Sequence, residues 1–358
     1  MLHRVVRVAP TVRIVEARKW LDSPDDDARG LDLCALADTY RRFATERCFS
    51  HARSFLVARD GALVAERYFR HRRGPRRANL KSATKSVLSL LVGIAIDEGA
   101  IDGVETEVAA IAPHLIPSQE PAKATITVGD LLTLQAGLGW DEWGRRYRDP
   151  RRMLRSANAA RFVLEKPLVD KPGSIFRYST GTSQVLAAVL SLATGMSPLA
   201  YARERLFAPL GIEGVRWPST RDGVSCGGTH LFLTPRQMAA IGQLCLQKGL
   251  WMGRRVVSAE WIDESTSVHA GLDWWEGPYG YHWWVRPQGF TAYGYGGQFI
   301  YVVPAAALVL VVTASPNGRR HILLRDFERF VVEPLVASLH AKDAGNDAAD
   351  TTYPPLQQ

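Results

Sequence analysis

The strand-like segments of this chain are confined to its two ends. Near the N-terminus, residues 54–69 hold two apolar runs joined at Asp60-Gly61, a dipeptide typical of a tight hairpin turn. Strand-like alternation returns in the final third, at 280–285, 297–303 and 307–313, with a turn at Pro304-Ala305. The middle of the chain carries helical patterns and many Pro and Gly breaks. These observations predict one sheet built from both chain ends, with a helical domain inserted between them.

A strongly apolar helix follows the first hairpin. Residues 82–99 leave little polar surface, and a helix that is apolar nearly all round lies in the body of a protein. Thr234 and Gln237 form a capping-box pattern that opens a later helix at Pro235. Further helices are predicted over 31–45 and 322–339. The resulting division is an N-terminal arm (1–30), a discontinuous α/β domain (31–115 and 225–340), a helical domain (116–224) and a flexible tail (341–358).

The bulk composition is that of an ordinary soluble globular protein. Of the 358 residues, 46% are hydrophobic and 22% are charged. No apolar run reaches 18 residues, and the first residues lack the pattern of a secretory signal peptide. We therefore expect a cytoplasmic protein without a membrane partner. The four cysteines lack metal-type spacing and are expected to be free thiols, and neither a metal nor a cofactor is expected.

The net charge is +8, and the densest basic run covers residues 70–77. Such a patch attracts phosphates, which makes nucleic-acid binding one interpretation. Gly74-Pro75 inside the run favours a solvated loop between a strand and a helix, and this is the preferred interpretation. A third interpretation is attraction of an acidic substrate, since the run lies just before Ser82. No nucleic-acid partner is predicted.

Ser82 and Lys85 carry the most informative pattern for chemistry, a Ser-x-x-Lys motif that occurs once in the chain. Positions i and i+3 share one face of a helix, so the two side chains lie within reach of each other. Serine is a weak nucleophile at neutral pH and needs a nearby base. Lysine can serve as that base where its surroundings favour the neutral amine. Ser82 also stands at a helix start, where the helix dipole favours developing negative charge.

Three further segments, together with this short motif, resemble the conserved segments of a known family. Residues 79–86, with Ser82 and Lys85, resemble the first motif of the β-lactamase-related serine hydrolases. Residues 172–181, which include Tyr178, resemble the second motif, and 293–298 resemble the third. The segment 226–235 is similar to a linking segment of the same proteins. The resemblance covers about residues 50–335 and points to class C β-lactamases, penicillin-binding proteins, family VIII carboxylesterases and 6-aminohexanoate-dimer hydrolases.

The resemblance implies a fold and a set of roles. The fold is of the α/β class (an α+β sandwich), with an antiparallel sheet flanked by helices and an inserted helical domain. Ser82 would be the nucleophile, and Lys85 with Tyr178 would supply acid and base catalysis. The backbone N–H groups of Ser82 and Gln298 would form the oxyanion hole. The third motif itself would be Tyr295-Gly296-Gly297.

Two departures narrow the expected substrate. Penicillin-recognising relatives have Lys or His at the start of the third motif, where this chain has Tyr295. Thr180 stands where class C enzymes have asparagine. Both differences argue against an efficient β-lactamase. Ser156-Ala157-Asn158 formally resembles the Ser-x-Asn motif of other penicillin-binding enzymes, and we interpret it as a coincidence because Tyr178 fills that role.

The pocket is predicted to be rich in aromatic side chains. Several lie between residues 274 and 284, and Trp274-Trp275 has loop character. We expect Trp140, Asp141, Thr180 and Trp283 to line the substrate site. An apolar cleft suits esters or amides with hydrocarbon chains. Asp141 and Glu142 are candidates to meet a substrate ammonium group, although solvated loop acids are the favoured interpretation. His230 and His282 can line the cleft but receive no role.

The sequence thus predicts a serine hydrolase that cleaves ester or amide bonds of small molecules through an acyl-Ser82 intermediate. An esterase or an amidase acting on 6-aminohexanoate oligomers is favoured over an efficient β-lactamase. The alternative is a non-catalytic relative that keeps the fold as a binding or scaffold module. The motifs at Ser82, Lys85 and Tyr178 argue against that alternative.

Overall fold

A computed structural model describes residues 31–69, 76–144, 147–272, 277–315 and 321–339. The predicted arm (1–30) and tail (341–358) lie outside these ranges. So do most of the basic run and the loop pair Trp274-Trp275. The interpretations attached to them therefore stay predictions.

Of the ten strands in the described ranges, six form one antiparallel sheet in the order β2-β1-β10-β9-β8-β7. The first hairpin pairs directly with the last strand, because Ala52–Arg59 runs against Leu308–Ala314. A sheet built from both chain ends is thereby confirmed. The strands are β1 Ala52–Arg59, β2 Ala62–Tyr68, β3 Ala78–Asn79, β4 Phe232–Leu233, β5 Leu250–Trp251, β6 Arg254–Arg255, β7 Trp284–Arg286, β8 Gly289–Gly294, β9 Gln298–Val303 and β10 Leu308–Ala314.

Helices pack on both faces of this sheet. The α-helices are α1 Leu33–Thr45, α2 Thr84–Asp97, α3 Val108–Ile111, α4 Val128–Leu132, α5 Arg148–Met153, α6 Ala159–Leu164, α7 Thr180–Thr194, α8 Pro198–Ala202, α9 Pro235–Leu246, α10 Ala259–Ser265 and α11 Leu324–Phe327. The capping box of Thr234 and Gln237 is present at the start of α9. Among the described residues no single helix is long and apolar enough to cross a membrane. α7 and the segment Pro198–Phe207 are long and apolar enough only when taken together, and they are bent by 70° relative to each other.

The central strands separate two hydrophobic cores. Alternate residues of β10 face opposite sides of the sheet, so Val309 and Val311 join one core while Leu310 and Val312 join the other. The first core contains α2 and α9, and the second contains α1 and the C-terminal helical segment, residues 324–339. Gly242 lets α9 approach the sheet closely, since a Cβ there would lie 2.5 Å from Val309 Cγ1.

The predicted strand at 280–285 is largely wrong. His282 adopts a left-handed φ of 64°, which interrupts extended backbone, and the strand covers only Trp284–Arg286. The sequence analysis also placed no separate strand at Gly289–Gly294, where Gly, Thr and Ala give weak apolar alternation. This strand, β8, is nevertheless the one that carries the third motif toward Ser82.

Candidate active site

Ser82 lies in a tight turn directly before α2. The turn spans Lys81–Ala83 as a 3₁₀ helix, and the Leu80 N–H that precedes it donates to the Leu231 carbonyl at 2.9 Å. Lys81 adopts a left-handed φ of 53°, and its N–H donates to Asn79 Oδ1 at 3.0 Å. A non-glycine residue is rarely held in this conformation, and such strain clusters at functional sites. The turn therefore presents Ser82, half-buried, at the end of the buried helix.

Lys85 lies one helical turn beyond Ser82 and is almost fully buried, with 1% of its surface exposed. Its Nζ donates to Ser82 Oγ at 3.4 Å, to Thr180 Oγ1 at 3.3 Å and to the Gly228 carbonyl at 3.1 Å. Burial disfavours the charged amine and lowers the pKa of Lys85 to about 8, while the negative charge of Glu142 acts in the opposite direction. A neutral amine in contact with Ser82 is thus accessible near neutral pH.

Glu142 is a component of the site whose position the sequence analysis did not foresee. Its buried carboxylate accepts hydrogen bonds from Trp140 Nε1 at 2.6 Å, from the Thr180 N–H at 2.8 Å and from Thr180 Oγ1 at 2.6 Å. It therefore caps the N-terminus of α7, where the helix dipole favours negative charge. These three donors and the burial show that Glu142 is not a solvated loop acid, whereas its contact with a substrate ammonium group stays a prediction.

Tyr178 packs next to Lys85. Its ring stacks between Trp143 and Trp284, at centroid distances of 5.8 Å and 6.1 Å. Lys85 Nζ lies 4.9 Å from the centre of the same ring. The structure therefore brings Ser82, Lys85 and Tyr178 together from two segments far apart in the chain. Their catalytic roles stay predictions.

The third motif reaches the site through the end of β8. A Cβ at Gly294 would lie 2.0 Å from the Leu80 carbonyl oxygen, so only glycine allows this approach to the Ser82 turn. Tyr295 follows and lines the cleft with Ser82, whereas Gly296 and Gly297 turn the chain toward β9 with φ values of 92° and 103°. Gln298, the first residue of β9, is fully buried. Its side-chain Nε2 donates to the Ala314 carbonyl, and its Oε1 accepts from the Ala314 N–H. These bonds involve only the side chain of Gln298, so its expected oxyanion-hole role, which uses the backbone N–H, stays a prediction.

The active-site cleft has a volume of about 210 Å³. Apolar side chains of the helical region form one wall, and Ser82 and Thr180 lie among the polar groups. The lining residues are Lys81, Ser82, Glu142, Trp143, Tyr147, Pro150, Met153, Leu154, Thr180, Thr229, His230 and Tyr295.

Three of the predicted pocket residues lie elsewhere. Trp140 lies behind Glu142, which it contacts through its indole N–H. Asp141 is exposed and accepts the N–H of Gly144 at 2.6 Å, so it stabilises the loop. Trp283 is fully buried against Phe290 in the core. Of the four expected residues, only Thr180 lines the cleft.

His282 is a structural residue. It is buried, its Nδ1 donates to the Leu132 carbonyl at 2.7 Å, and its Nε2 lies 3.0 Å from Ser183 Oγ. Leu132 O can only accept, which assigns the proton to Nδ1. Burial and the nearby Lys85 lower the pKa of His282 to about 3, so the ring is neutral. It ties α4 to α7 without entering the cleft.

Asn158 also has a structural role. Its side chain caps α6 by accepting the Arg161 N–H at 2.8 Å, which explains the Ser-x-Asn pattern at 156–158 as a helix start. Within the described ranges, no group of three or more His, Cys, Asp or Glu side chains could hold a metal ion.

Comparison with known proteins agrees with this geometry. A model of the β-lactamase family matches residues 44–332, which is most of the chain. The chain belongs to the β-lactamase family. A 6-aminohexanoate-dimer hydrolase from Paenarthrobacter ureafaciens is 27% identical over 345 residues, which cover 87% of this chain and 84% of the relative. As a member of this family, the chain is a serine hydrolase.

Solved structures share the β-lactamase/transpeptidase-like fold. A penicillin-binding protein homologue from Caulobacter crescentus superposes with a TM-score of 0.67 at 18% identity. A family VIII carboxylesterase superposes with a TM-score of 0.66, also at 18% identity. Each comparison covers 85% of this chain and 96% of the other. The predicted fold is confirmed, and at these identities the likeness extends to the fold alone.

Proposed function

We propose that this β-lactamase-family hydrolase cleaves esters or amides of small molecules through an acyl-Ser82 intermediate. The observation that carries the proposal is the contact between Ser82 Oγ and the buried amine of Lys85, 3.4 Å apart. Burial holds the pKa of Lys85 near 8, so a substantial fraction of the amine is neutral at pH 7 to 8 and can accept a proton.

In the first half-reaction, Ser82 Oγ bonds to the substrate carbonyl carbon as its proton passes to Lys85. The carbonyl oxygen becomes an oxyanion, and the N–H groups of Ser82 and of a third-motif residue, Gln298 by the family resemblance, are the proposed donors to it. Tyr295 is the alternative to Gln298 in this role, because it lines the cleft directly after the close contact of Gly294 with Leu80. Collapse of this intermediate breaks the bond to the leaving group.

Tyr178 is the proposed acid that protonates the departing oxygen or nitrogen, and the proton on Lys85 then restores the tyrosine. Water attacks the acyl-enzyme in the second half-reaction, and the same groups carry its proton back to Ser82 Oγ. Lys85 Nζ lies 4.9 Å from the centre of the Tyr178 ring, so the two proposed proton carriers are neighbours. Protons and bonds balance over the cycle without a cofactor.

The walls of the cleft support a substrate with a hydrocarbon chain. Trp143, Met153 and Leu154 offer apolar surface across from the polar groups around Ser82. Tyr295 occupies the place of the third-motif cation, which disfavours efficient β-lactam hydrolysis. Acyl esters and linear amides, including 6-aminohexanoate oligomers like those named for the Paenarthrobacter relative, are therefore the proposed substrates.

A fluorophosphonate probe tests the nucleophile. Wild type should be labelled and should hydrolyse p-nitrophenyl butyrate, and Ser82→Ala should abolish both. Ser156→Ala, from the second serine motif, is the matched control and should keep both activities. Labelling that survives in Ser82→Ala contradicts the assignment, and absence of labelling and turnover in wild type favours the non-catalytic alternative. The same variants assayed on a linear amide and a chromogenic β-lactam rank the substrate classes.

A further inference from the structure

A two-residue strand pair places a cationic group beside the nucleophile. β3 and β4 pair in antiparallel register, with Ala78 opposite Leu233 and Asn79 opposite Phe232. The Leu80 N–H donates to the Leu231 carbonyl next to this pair, and Lys81 and His230 are the residues that follow at that end. Lys81 lies close enough to His230 for its charge to act on the imidazole. Both residues line the active-site cleft with Ser82, although they are far apart in the chain.

Both residues hold an unusual backbone conformation. Lys81 has a φ of 53° and His230 a φ of 68°, in the left-handed region that non-glycine residues rarely adopt. Each such residue costs on the order of 1 kcal/mol, which the surrounding structure has to offset. Two strained residues that face the same cleft indicate that their placement serves the site.

Lys81 and the ring of His230 have no anionic partner among the described residues. Lys81 is half-buried, and burial is the cause that lowers the pKa of its amine; no described acid acts on it. His230 Nδ1 is buried without a hydrogen-bond partner among the described residues, whereas both ring nitrogens of His282 are bonded. Burial, Lys81 and Arg216 all lower the pKa of His230. Glu142, the acid of the cleft, is occupied by its three donors.

We propose that Lys81 and His230 form an anion subsite that selects ester or amide substrates carrying a carboxylate close to the scissile bond. An ammonium that has lost part of its hydration gains most from a charge-assisted hydrogen bond, and a carboxylate supplies one. A bound carboxylate also offsets the charge of Lys81, and the unpartnered Nδ1 of the neutral His230 ring can donate to it in its Nδ1–H tautomer. Lys81 would thus bind the substrate carboxylate in place of the third-motif cation, because this chain has Tyr295 at that position. The proposal rests on Ser82 as the nucleophile.

The test uses pairs of esters that differ in one carboxylate. Mono-p-nitrophenyl glutarate is compared with p-nitrophenyl valerate, which places the charge in the acyl part. The ester 3-carboxy-4-nitrophenyl butyrate is compared with p-nitrophenyl butyrate, which places it in the leaving group. The measured quantity is the ratio of kcat/KM for the anionic ester to kcat/KM for its neutral partner. Lys81→Gln should lower this ratio about tenfold for one of the pairs, as expected for the loss of one charged hydrogen bond.

Three companion variants sharpen the result. Lys81→Arg restores the charge and should bring the ratio back to within about threefold of wild type. His230→Asn, which tolerates the left-handed backbone, should lower the ratio about threefold. Lys171→Gln removes an exposed lysine that does not line the cleft, and should leave the ratio unchanged.

A second measurement needs no variant. Raising NaCl from about 20 mM to 500 mM should lower the wild-type ratio several-fold, because salt screens a half-exposed charge pair. The proposal is overturned if Lys81→Gln leaves the ratio within twofold for both ester pairs, or if the wild-type ratio is insensitive to salt. Failure of the proposed function looks different, since turnover of the neutral esters would then survive in Ser82→Ala.

Discussion

Glu142 is linked to Lys85 through a single hydroxyl group. Thr180 Oγ1 donates to the Glu142 carboxylate at 2.6 Å and accepts from Lys85 Nζ at 3.3 Å. The carboxylate is therefore close enough to act on the charge of the amine while making no direct bond to it. Burial alone would lower the pKa of Lys85 further, and Glu142 limits that effect.

The first prediction concerns the pH dependence of activity. Lys85 accepts a proton in its neutral form, so kcat/KM should rise with pH through its pKa of about 8. Glu142→Gln removes the charge that raises this pKa, and the midpoint of the acidic limb should move to lower pH. A glutamine fits, because its oxygen can accept from Trp140 and the Thr180 N–H while its amide donates to Thr180 Oγ1.

Measuring kcat/KM for p-nitrophenyl butyrate from pH 5 to 10 checks this shift. Asp141→Asn is the matched control, since it makes the same change one residue earlier, at an exposed carboxylate that contacts Gly144. Its profile should coincide with wild type. A midpoint that stays in place or rises in Glu142→Gln would show that the carboxylate does not act on Lys85.

The second prediction separates the role of Tyr178 from that of a packing aromatic. p-Nitrophenolate leaves without a proton, whereas an alkoxide or an amine needs one. Tyr178→Phe should therefore reduce kcat/KM for an alkyl ester or an anilide at least tenfold more than for the matching p-nitrophenyl ester, within the range of general acid catalysis. The ring stacking with Trp143 and Trp284 should be kept.

Tyr147→Phe provides the comparison for Tyr178→Phe. Tyr147 lies at the mouth of the cleft, where burial and a hydrogen bond with Tyr295 raise its pKa to about 12. Removing the Tyr147 hydroxyl should change kcat/KM by the same factor for both kinds of substrate. If Tyr178→Phe also reduces kcat/KM by equal factors for the two kinds of substrate, Tyr178 is not the acid that protonates the leaving group.

The third prediction concerns stability. Arg286 of β7 bonds Glu328 in the C-terminal helical segment through two nitrogens, each at 2.6 Å, and Tyr301 donates to the same carboxylate at 2.9 Å. Both partners are largely buried, with 16% and 12% of their side chains exposed. Arg286→Met leaves a buried carboxylate without its cation, which should cost about 3 kcal/mol of unfolding free energy.

Urea unfolding followed by circular dichroism measures this loss. Arg161→Met is the control, because the Arg161–Glu165 pair is exposed and should contribute less than about 1 kcal/mol. Equal losses in the two variants would mean that the C-terminal segment does not depend on the buried pair.

The parts of the site predicted from sequence are those set by local geometry. Ser82 and Lys85 are three residues apart on one helix, so their proximity follows from the helical repeat alone. The hairpin at Asp60-Gly61 is equally local, and both of its turn residues have positive φ values. Tyr178 was identified by resemblance to a family motif, since no repeat links it to Lys85.

The features that sequence reasoning missed depend on contacts between distant segments. The turn after β8 decides which side chain of the third motif faces the cleft. It places the side chain of Tyr295 in the cleft and the side chain of Gln298 in the sheet. The proximity of Lys81 and His230 depends on strands of two residues each, too short to leave a periodic pattern. Trp283 was expected in the pocket because aromatic density does not tell a cleft wall from a core.

The pairing of β1 with β10 also constrains when the enzyme can become active. Arg59 lies opposite Leu308, so about 250 residues must be synthesised before this pair can form. Ser82 and Lys85 leave the ribosome early, but the β8 end that faces them leaves only with the last quarter of the chain. Nascent or truncated chains should therefore carry the nucleophile without the activity. Turnover would then report that the whole sheet has closed.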